Sequence, residues 1–314
     1  MRAAVVSAYG PPEVVSILDR PIPTPTSQQV VVRVSAAAVT SGDARIRGAN
    51  FPDGFAIPSR LAFGLRGPRK PVLGGVFSGV VTEVGGKVDG FAVGDEVCGM
   101  TGIAMGTHAE YVAVPAKKLA RKPAAVSHED AAGLLFGGAA ALSFLRAAGT
   151  GSGSTVLVNG ASGAIGTIAV QLAKNLGATV TGVTSGANAE LVRDLGADEV
   201  VDYTTTDIRN TAKRYDVVLE TVGNLDGAAA AELLTDDGTA VLAVATLRDN
   251  VIPRKHVKAG VAPERPEDFD ELLRLVADGK LRVVLDRVTD LDDIVAAHRR
   301  VDSGRKVGNI VIRC

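Results

Sequence analysis

The sequence predicts two domains: an irregular β-barrel or sandwich, then an α/β domain built on a doubly wound parallel sheet. Short β-branched runs punctuated by glycine and proline fill the first third of the chain. From Ser127 onward, uninterrupted apolar strands alternate with helical segments, and a glycine-rich turn joins the first such strand to its helix.

In chain order, residues 30–34, 80–84 and 111–114 are valine-rich strands, separated by Gly74-Gly75, Gly85-Gly86, Gly94-Asp95 and Pro115. Ser127 is the N-cap of an Ala/Leu-rich helix reaching Ala148, with Glu129 and Asp130 in its first turn. A strand at 155–158, a helix at 165–176, a strand at 179–183 and a helix at 190–195 follow. Further strands are predicted at 199–201, 217–219 and 240–244. The tail carries helices at 267–278 and 292–301 and a last strand at 308–312.

With 314 residues, 46% hydrophobic and 22% charged, the chain is long enough for two buried cores. A net charge of −1 gives no field that draws it to nucleic acid or to an anionic membrane, and 4% aromatics without tryptophan disfavours base stacking. No uninterrupted apolar run reaches the roughly 18 residues of a membrane helix. Tyr9-Gly10-Pro11-Pro12 arrives too early for a signal-peptide core, so a cytoplasmic location is expected. Two cysteines, Cys98 and Cys314, allow neither a disulfide scaffold nor a cysteine-rich zinc lobe.

The strongest chemical signal is Asn159-Gly160-Ala161-Ser162-Gly163-Ala164-Ile165-Gly166, directly after the strand at 155–158. Glycine in the middle lets the backbone approach a pyrophosphate, and the last glycine lets helix and strand pack closely. The helix N-terminus offers free N–H groups to the phosphates. A dinucleotide is therefore the expected cofactor. At the end of the second strand, Thr184, Ser185 and Asn188 stand where an NAD enzyme carries an acid that binds the ribose. The missing acid favours NADPH over NADH. No Lys or Arg occupies that segment, so Ser185, Asn188, Tyr203 and Arg193 are the candidates to reach the 2′-phosphate.

Several segments occur in a specific order. These are residues 9–14 (YGPPEV), 74–85 (GGVFSGVVTEVG), 94–97 (GDEV), 108–111 (HAEY), the glycine-rich turn, 195–198 (LGAD), 201–203 (VDY), Val222-Gly223 and Gly308-Asn309. Together they resemble the zinc-free quinone oxidoreductases and enone reductases of the medium-chain dehydrogenase/reductase superfamily, over essentially the whole chain. The resemblance implies a GroES-like catalytic domain, discontinuous over 1–124 and 266–314, and a Rossmann domain over 125–265. It also implies cofactor contacts at Val222, Gly223, Val244, Ala245, Gly308 and Asn309, and a homodimer paired through the cofactor domain.

Zinc-dependent relatives carry a cysteine after the third early strand and a His-Glu pair in the glycine-rich segment. Here those places hold Val39-Thr40-Ser41-Gly42-Asp43 and Gly74-Gly75-Val76, which supply neither thiolate nor imidazole. No metal is expected. Without a Lewis acid, hydride transfer to a small, hydrophobic, electron-poor quinone or enone is the expected reaction. Thr40, Ser41 and Asp43 are the candidate catalytic residues, with a hydroxyl stabilising the developing enolate and Asp43 holding a water or orienting the loop. Ser-Gly-Asp is also ordinary turn chemistry. Alcohol or aldehyde interconversion and a non-catalytic NADPH-binding sensor stand as alternatives.

In the segment 136–141 many relatives place a threonine near the nicotinamide where this chain has Ala140, and a basic residue near the position of Ala187. His108 is a proton-donor candidate by residue type alone, whereas His128, His256 and His298 fit structural or solvated roles. Cys98 reads as a small buried hydrophobe. The apolar segment 51–70 is expected either to edge the substrate entrance or to cover the barrel.

Overall fold

A computed structural model describes residues 1–252 and 254–314. Strands β1 (Arg2–Val6) and β2 (Val15–Asp19) form an antiparallel pair ahead of β3 (Gln29–Val39). Helices α1 (Ser41–Gly48) and α2 (Ala56–Phe63) precede β4 (Val76–Val84), β5 (Glu96–Met100), β6 (Tyr111–Pro115) and β7 (Leu119–Arg121). Val30, Val31, Val32 and Val34 are all buried, which is why this β-branched run anchors the first sheet.

The sequence predicted no helix between residues 41 and 63, and two are present. Thr40 caps α1 through a box with Asp43, so a Thr-x-x-Asp spacing that reads as turn chemistry nucleates a helix. In the segment 51–70, Phe51 stacks on Phe63 with ring centroids 5.8 Å apart, and both pack on the barrel core. Ile57, Leu61 and Leu65 remain exposed.

Helix α3 (His128–Ala148) starts at the Ser127 cap and ends at Gly149, as its sequence predicts. Its length and composition would suffice to cross a membrane, and its burial against β3, β4 and neighbouring helices accounts for that composition. The α/β region then runs β8 (Thr155–Asn159), α4 (Gly166–Asn175), β9 (Thr179–Thr184), α5 (Ala189–Asp194), β10 (Glu199–Asp202) and β11 (Tyr215–Glu220). It continues through α6 (Gly227–Glu232), β12 (Leu234–Leu242), α7 (Leu247–Val251) and β13 (Val257–Ala259). The strands form one parallel sheet in the order β10-β9-β8-β11-β12-β13. Residues 156–158 and 217–219 are buried, the pattern of strands covered on both faces. The sequence placed the fifth of these strands at 240–244. It starts earlier, at Leu234, through an Asp-Asp-Gly stretch that reads as a turn, and it ends at Leu242, leaving Val244 and Ala245 beyond its end.

After α8 (Pro266–Ala277), the chain re-enters the first sheet. Strand β14 (Leu285–Asp290) pairs with β15 (Asn309–Arg313), and α9 (Ile294–Asp302) connects them. Strand β15 lies antiparallel on β3, with Ile310 opposite Val39 and Ile312 opposite Ala37. Ile310 and Ile312 thereby join Val30, Val32 and Val34 in one core.

Beneath α1 and α9 lies a buried polar knot. Arg47 pairs with Asp302 at 2.6 Å, and His298 meets His108 edge-on at 6.0 Å. Burial, followed by the charges of His108 and Arg47, pushes His298 down from 6.5 to about 3. Between those values the unfolded chain holds a proton on this ring and the folded chain does not, so unfolding takes up a proton. Stability is therefore expected to fall as pH drops from 6.5 toward 3. Denaturant titrations across that range should show a shallower pH slope for His298→Leu, and equal slopes would rule out this origin of acid lability.

Candidate active site

The turn after β8 is shaped by close backbone approaches. Gly160 has φ +85°, and a Cβ there would meet Thr221 Oγ1 at 2.6 Å and Val222 Cγ2 at 2.7 Å. A Cβ at Gly166 would lie 2.2 Å from the Gly160 carbonyl oxygen, so only glycine lets α4 start this close to β8. At Gly163 the Gly160 carbonyl, 3.3 Å away, is the only atom within contact range of such a Cβ, which leaves a concave face open. Ala161 is buried and its N–H donates to the Val183 carbonyl at 2.9 Å. Ala164 touches α3, because its carbonyl sits against Gly137, where a Cβ would come within 2.1 Å. Ile165 closes the turn as the residue ahead of α4 and packs against the core. The arrangement is a cradle that a pyrophosphate fits, with the N-terminus of α4 aimed at it.

Two residues proposed from the second strand end meet this turn. Thr184 Oγ1 donates to Ser162 Oγ at 2.8 Å, and Asn188 Nδ2 donates to the same oxygen at 3.3 Å. Tyr203 donates its backbone N–H to the Thr184 carbonyl at 3.1 Å and leaves its side chain exposed. Ser185 is half-buried and makes no side-chain cap. The sequence placed no acid here, yet β10 brings one. Asp202 lies against Gly186 and accepts the backbone N–H and hydroxyl of Thr204, which hold its carboxyl below the usual range.

The far end of β11 adds a residue the sequence reading missed. Glu220 is fully buried and accepts hydrogen bonds from the N–H groups of Val222 and Gly223 at 2.5 and 2.6 Å and from Asn159 Nδ2 at 2.6 Å. Burial raises its carboxyl above the ordinary value despite these donors. Asn159 also donates to Asn224 at 2.7 Å. Its role is thus to join two strand ends, fixing the Val222-Gly223 turn. An acid closing an apolar strand was the one available signal.

That turn, with Val244 and Ala245, forms one wall of a cavity of about 260 Å³. The opposite wall comes from α1 and the segment after it, through Arg45, Asn50, Phe51, Pro52 and Asp53. The Asp53 carbonyl accepts the Leu247 N–H at 2.9 Å, linking the two walls. A second cavity of similar size continues past Gly223 toward Asn224 and Arg209.

The expected catalytic trio is corrected by these contacts. The Thr40 hydroxyl donates to Asp43 at 2.6 Å and accepts the Asp43 N–H at 3.3 Å. Asp43 also accepts the backbone N–H groups of Thr40 and Gly74, at 2.8 and 3.0 Å, and is 2% exposed. Thr40 is thus tied to Asp43, and Asp43 fastens the start of α1 to the Gly74 loop. Ser41 is exposed on the first turn of α1, and neither it, Thr40 nor Asp43 lines the cavity. His108 is buried with Nε2 3.0 Å from the Ala38 carbonyl, which removes it as a proton donor to the cleft. His128 Nδ1 lies 2.7 Å from Ser78 Oγ. Ala140 is buried in α3.

The C-terminal return meets the turn from the other side. Gly308 donates its N–H to the Ser162 carbonyl at 2.8 Å and bridges to Gly163. Asn309 is buried, and its Nδ2 has no hydrogen-bond partner among the described residues. An orphaned donor beside the cradle fits a ligand oxygen there. Lys306, not singled out in the sequence, donates to the Gly308 carbonyl at 2.7 Å, and burial lowers its ammonium to about 8.

Comparison with known proteins agrees with this geometry. Residues 26–124 match the alcohol dehydrogenase GroES-like domain family, and residues 195–312 match the family described as zinc-binding dehydrogenase. The chain is 31% identical to the 2-methylene-furan-3-one reductase of Solanum lycopersicum, covering 99% of this chain and 79% of the relative. This protein is a medium-chain dehydrogenase/reductase of the quinone oxidoreductase and enone reductase branch. It is likewise 31% identical to the mitochondrial NAD(P)H oxidoreductase RTN4IP1 of Danio rerio, over 90% of this chain and 83% of the relative. The quinone oxidoreductase structure from Coxiella burnetii superposes with a TM-score of 0.91 at 28% identity, covering 100% and 99% of the two chains. The Rossmann sheet and GroES-like domain of this medium-chain reductase are thus established, as is its place among NAD(P)H-dependent oxidoreductases.

The open face at Gly163 gives a direct check of the cradle. Gly163→Ala should fold with a melting temperature within a few degrees of wild type, yet weaken NADPH binding by about tenfold or more. Calorimetric titration reads the affinity, and undiminished binding by the folded variant would remove the turn from the cofactor site.

Proposed function

We propose that this reductase transfers hydride from NADPH to a quinone or an α,β-unsaturated carbonyl compound, and that it does so without zinc. The observation that carries the reading is the cavity between Val222, Gly223, Val244 and Ala245 on one side and α1 with Phe51 on the other, with Val222 packed against Gly160 of the glycine turn. The names of the relatives, a 2-methylene-furan-3-one reductase and a quinone oxidoreductase, accord with it.

The dinucleotide supplies the hydride when bound. The chain's own residues hold and shield it. The turn at 160–166 and the start of α4 would receive the pyrophosphate, Thr184, Ser185 and Asn188 would face the ribose, and Asn309 would offer its free amide. Ser185, Asn188 and Tyr203 are the donors proposed for the 2′-phosphate. NADH is the second reading, favoured by the Asp202 carboxylate under Gly186. The bound dinucleotide would supply a hydride to the acceptor, and the cavity would leave the conjugated oxygen open to a solvent proton. No histidine lines the cavity among the described residues, which accords with solvent as the proton source.

The donor set does not fit a zinc ion. Among the described residues no group of three His, Cys, Asp or Glu side chains converges. Cys98 lies in the core and Cys314 at the chain end, and burial pushes both thiols up to about 12, away from the thiolate form. Asp43, at the place matching the ligand loop, is saturated by its own backbone donors.

NADPH oxidation, followed by absorbance loss, should be supported by 1,4-benzoquinone, 9,10-phenanthrenequinone or a simple enone. The rate should survive a chelator, and kcat/KM should favour NADPH over NADH by about tenfold. Absence of turnover despite tight NADPH binding would favour a non-catalytic sensor, and chelator-sensitive turnover would overturn the zinc-free reading.

A further inference from the structure

Helix α1 carries two arginines that the fold treats differently. Arg47 points into the barrel and is neutralised by Asp302 at 2.6 Å. Arg45 lines the cavity beside Phe51, opposite Val222 and Ala245. Among the described residues its side chain makes no ion pair and no hydrogen bond. It is half-buried, and the loss of water lowers its guanidinium below the ordinary value, though an arginine keeps its charge at neutral pH. Asp53, the one acid on the same wall, is exposed to solvent and makes no ion pair with it.

A half-buried cation without a partner is costly, and the fold offers it nothing from within. Beside it on that wall stand Asn50, Pro52, Asp53 and Phe51, the last held flat by its stack on Phe63. One face is therefore a fixed aromatic surface, with a single forked donor at its edge. A guanidinium of this kind pairs bidentately with a carboxylate, which a tyrosine or lysine would not match in geometry.

We propose that Arg45 anchors the acceptor, and that the preferred acceptors of this reductase are planar enones or quinones bearing a carboxylate or comparable anionic group. The proposal rests on the reductase reading above and narrows its substrate class. The anion sits on Arg45 and the apolar body lies along Phe51. The conjugated carbon then faces the wall formed by Val222 and Ala245.

The test uses the full chain with NADPH and a matched pair of acceptors, trans-3-benzoylacrylate and its methyl ester. Wild type should favour the acid in kcat/KM by about tenfold or more, since only the acid offers a charge-assisted pair. Arg45→Met should lower kcat/KM for the acid about 30-fold, mainly through KM, and change the ester less than about threefold, with Arg45→Lys in between. Equal losses for acid and ester, or no preference in wild type, would overturn the anchor. So would a large loss of NADPH affinity in folded Arg45→Met with an unmoved acid-to-ester ratio, because Arg45 would then belong to the cofactor.

A protein that turns over neither acceptor contradicts the reductase reading, and the anchor is then judged by binding alone. Calorimetry with the unreactive 3-benzoylpropionate and the NADP⁺-loaded protein should give affinity that falls at least about tenfold in Arg45→Met. Equal affinity in both proteins overturns the anchor independently of any turnover.

Discussion

Two backbone contacts hold the cleft in shape. The Gly308 N–H donates to the Ser162 carbonyl, and Gly308 bridges Gly163, so the last strand of the chain begins on the glycine-rich turn. From there β15 runs antiparallel to β3 and carries Ile310 and Ile312 into the barrel core. The turn itself keeps its tight shape because side chains are missing at Gly160 and Gly166, where a Cβ would strike Thr221 at 2.6 Å and the Gly160 carbonyl at 2.2 Å. The parallel sheet and the barrel are thus tied at the same place where a dinucleotide would lie. A residue with a side chain at Gly308, which has φ +63°, would meet the Val284 carbonyl at 2.1 Å and separate them.

The buried polar groups serve position more than chemistry. Glu220 and Asn159 fix the Val222-Gly223 turn, and Asp43 fixes α1 against the Gly74 loop. Each carboxyl group accepts several hydrogen bonds, and at Glu220 burial still outweighs them. What faces the cavity is a turn of small residues at 222–223 and 244–246, one aromatic side chain, and the polar groups of Arg45, Asn50 and Asp53. Such a surface suits a reaction in which the cofactor carries the reactive bond and the protein supplies orientation and exclusion of water.

Much of this was legible in the sequence. The ordered motifs located the glycine turn and the strand ends around it, because each depends on local spacing or on glycine, while the returning tail followed from the family resemblance. The helix over Ser41–Gly48 was missed because Thr-x-x-Asp serves turns and caps alike, and the choice is made by Gly74, thirty-one residues away. Thr40 was assigned to chemistry for the same reason. Asp202 came to the cofactor loop by strand pairing of β10 on β9, a register no local pattern reports. Arg45 and Arg47 are two residues apart in sequence, and only tertiary structure shows that one is neutralised and the other is not.

The central claim is that the glycine turn and the neighbouring cavity walled by Val244 and Ala245 together receive the dinucleotide. Amide hydrogen exchange with and without saturating NADPH tests it most directly. Protection should rise together at 160–166, 184–188, 222–223, 244–245 and 308–309, with little change at β7 on the far side of the barrel. Protection that leaves 160–166 unchanged, or that gathers outside these segments, would contradict the account.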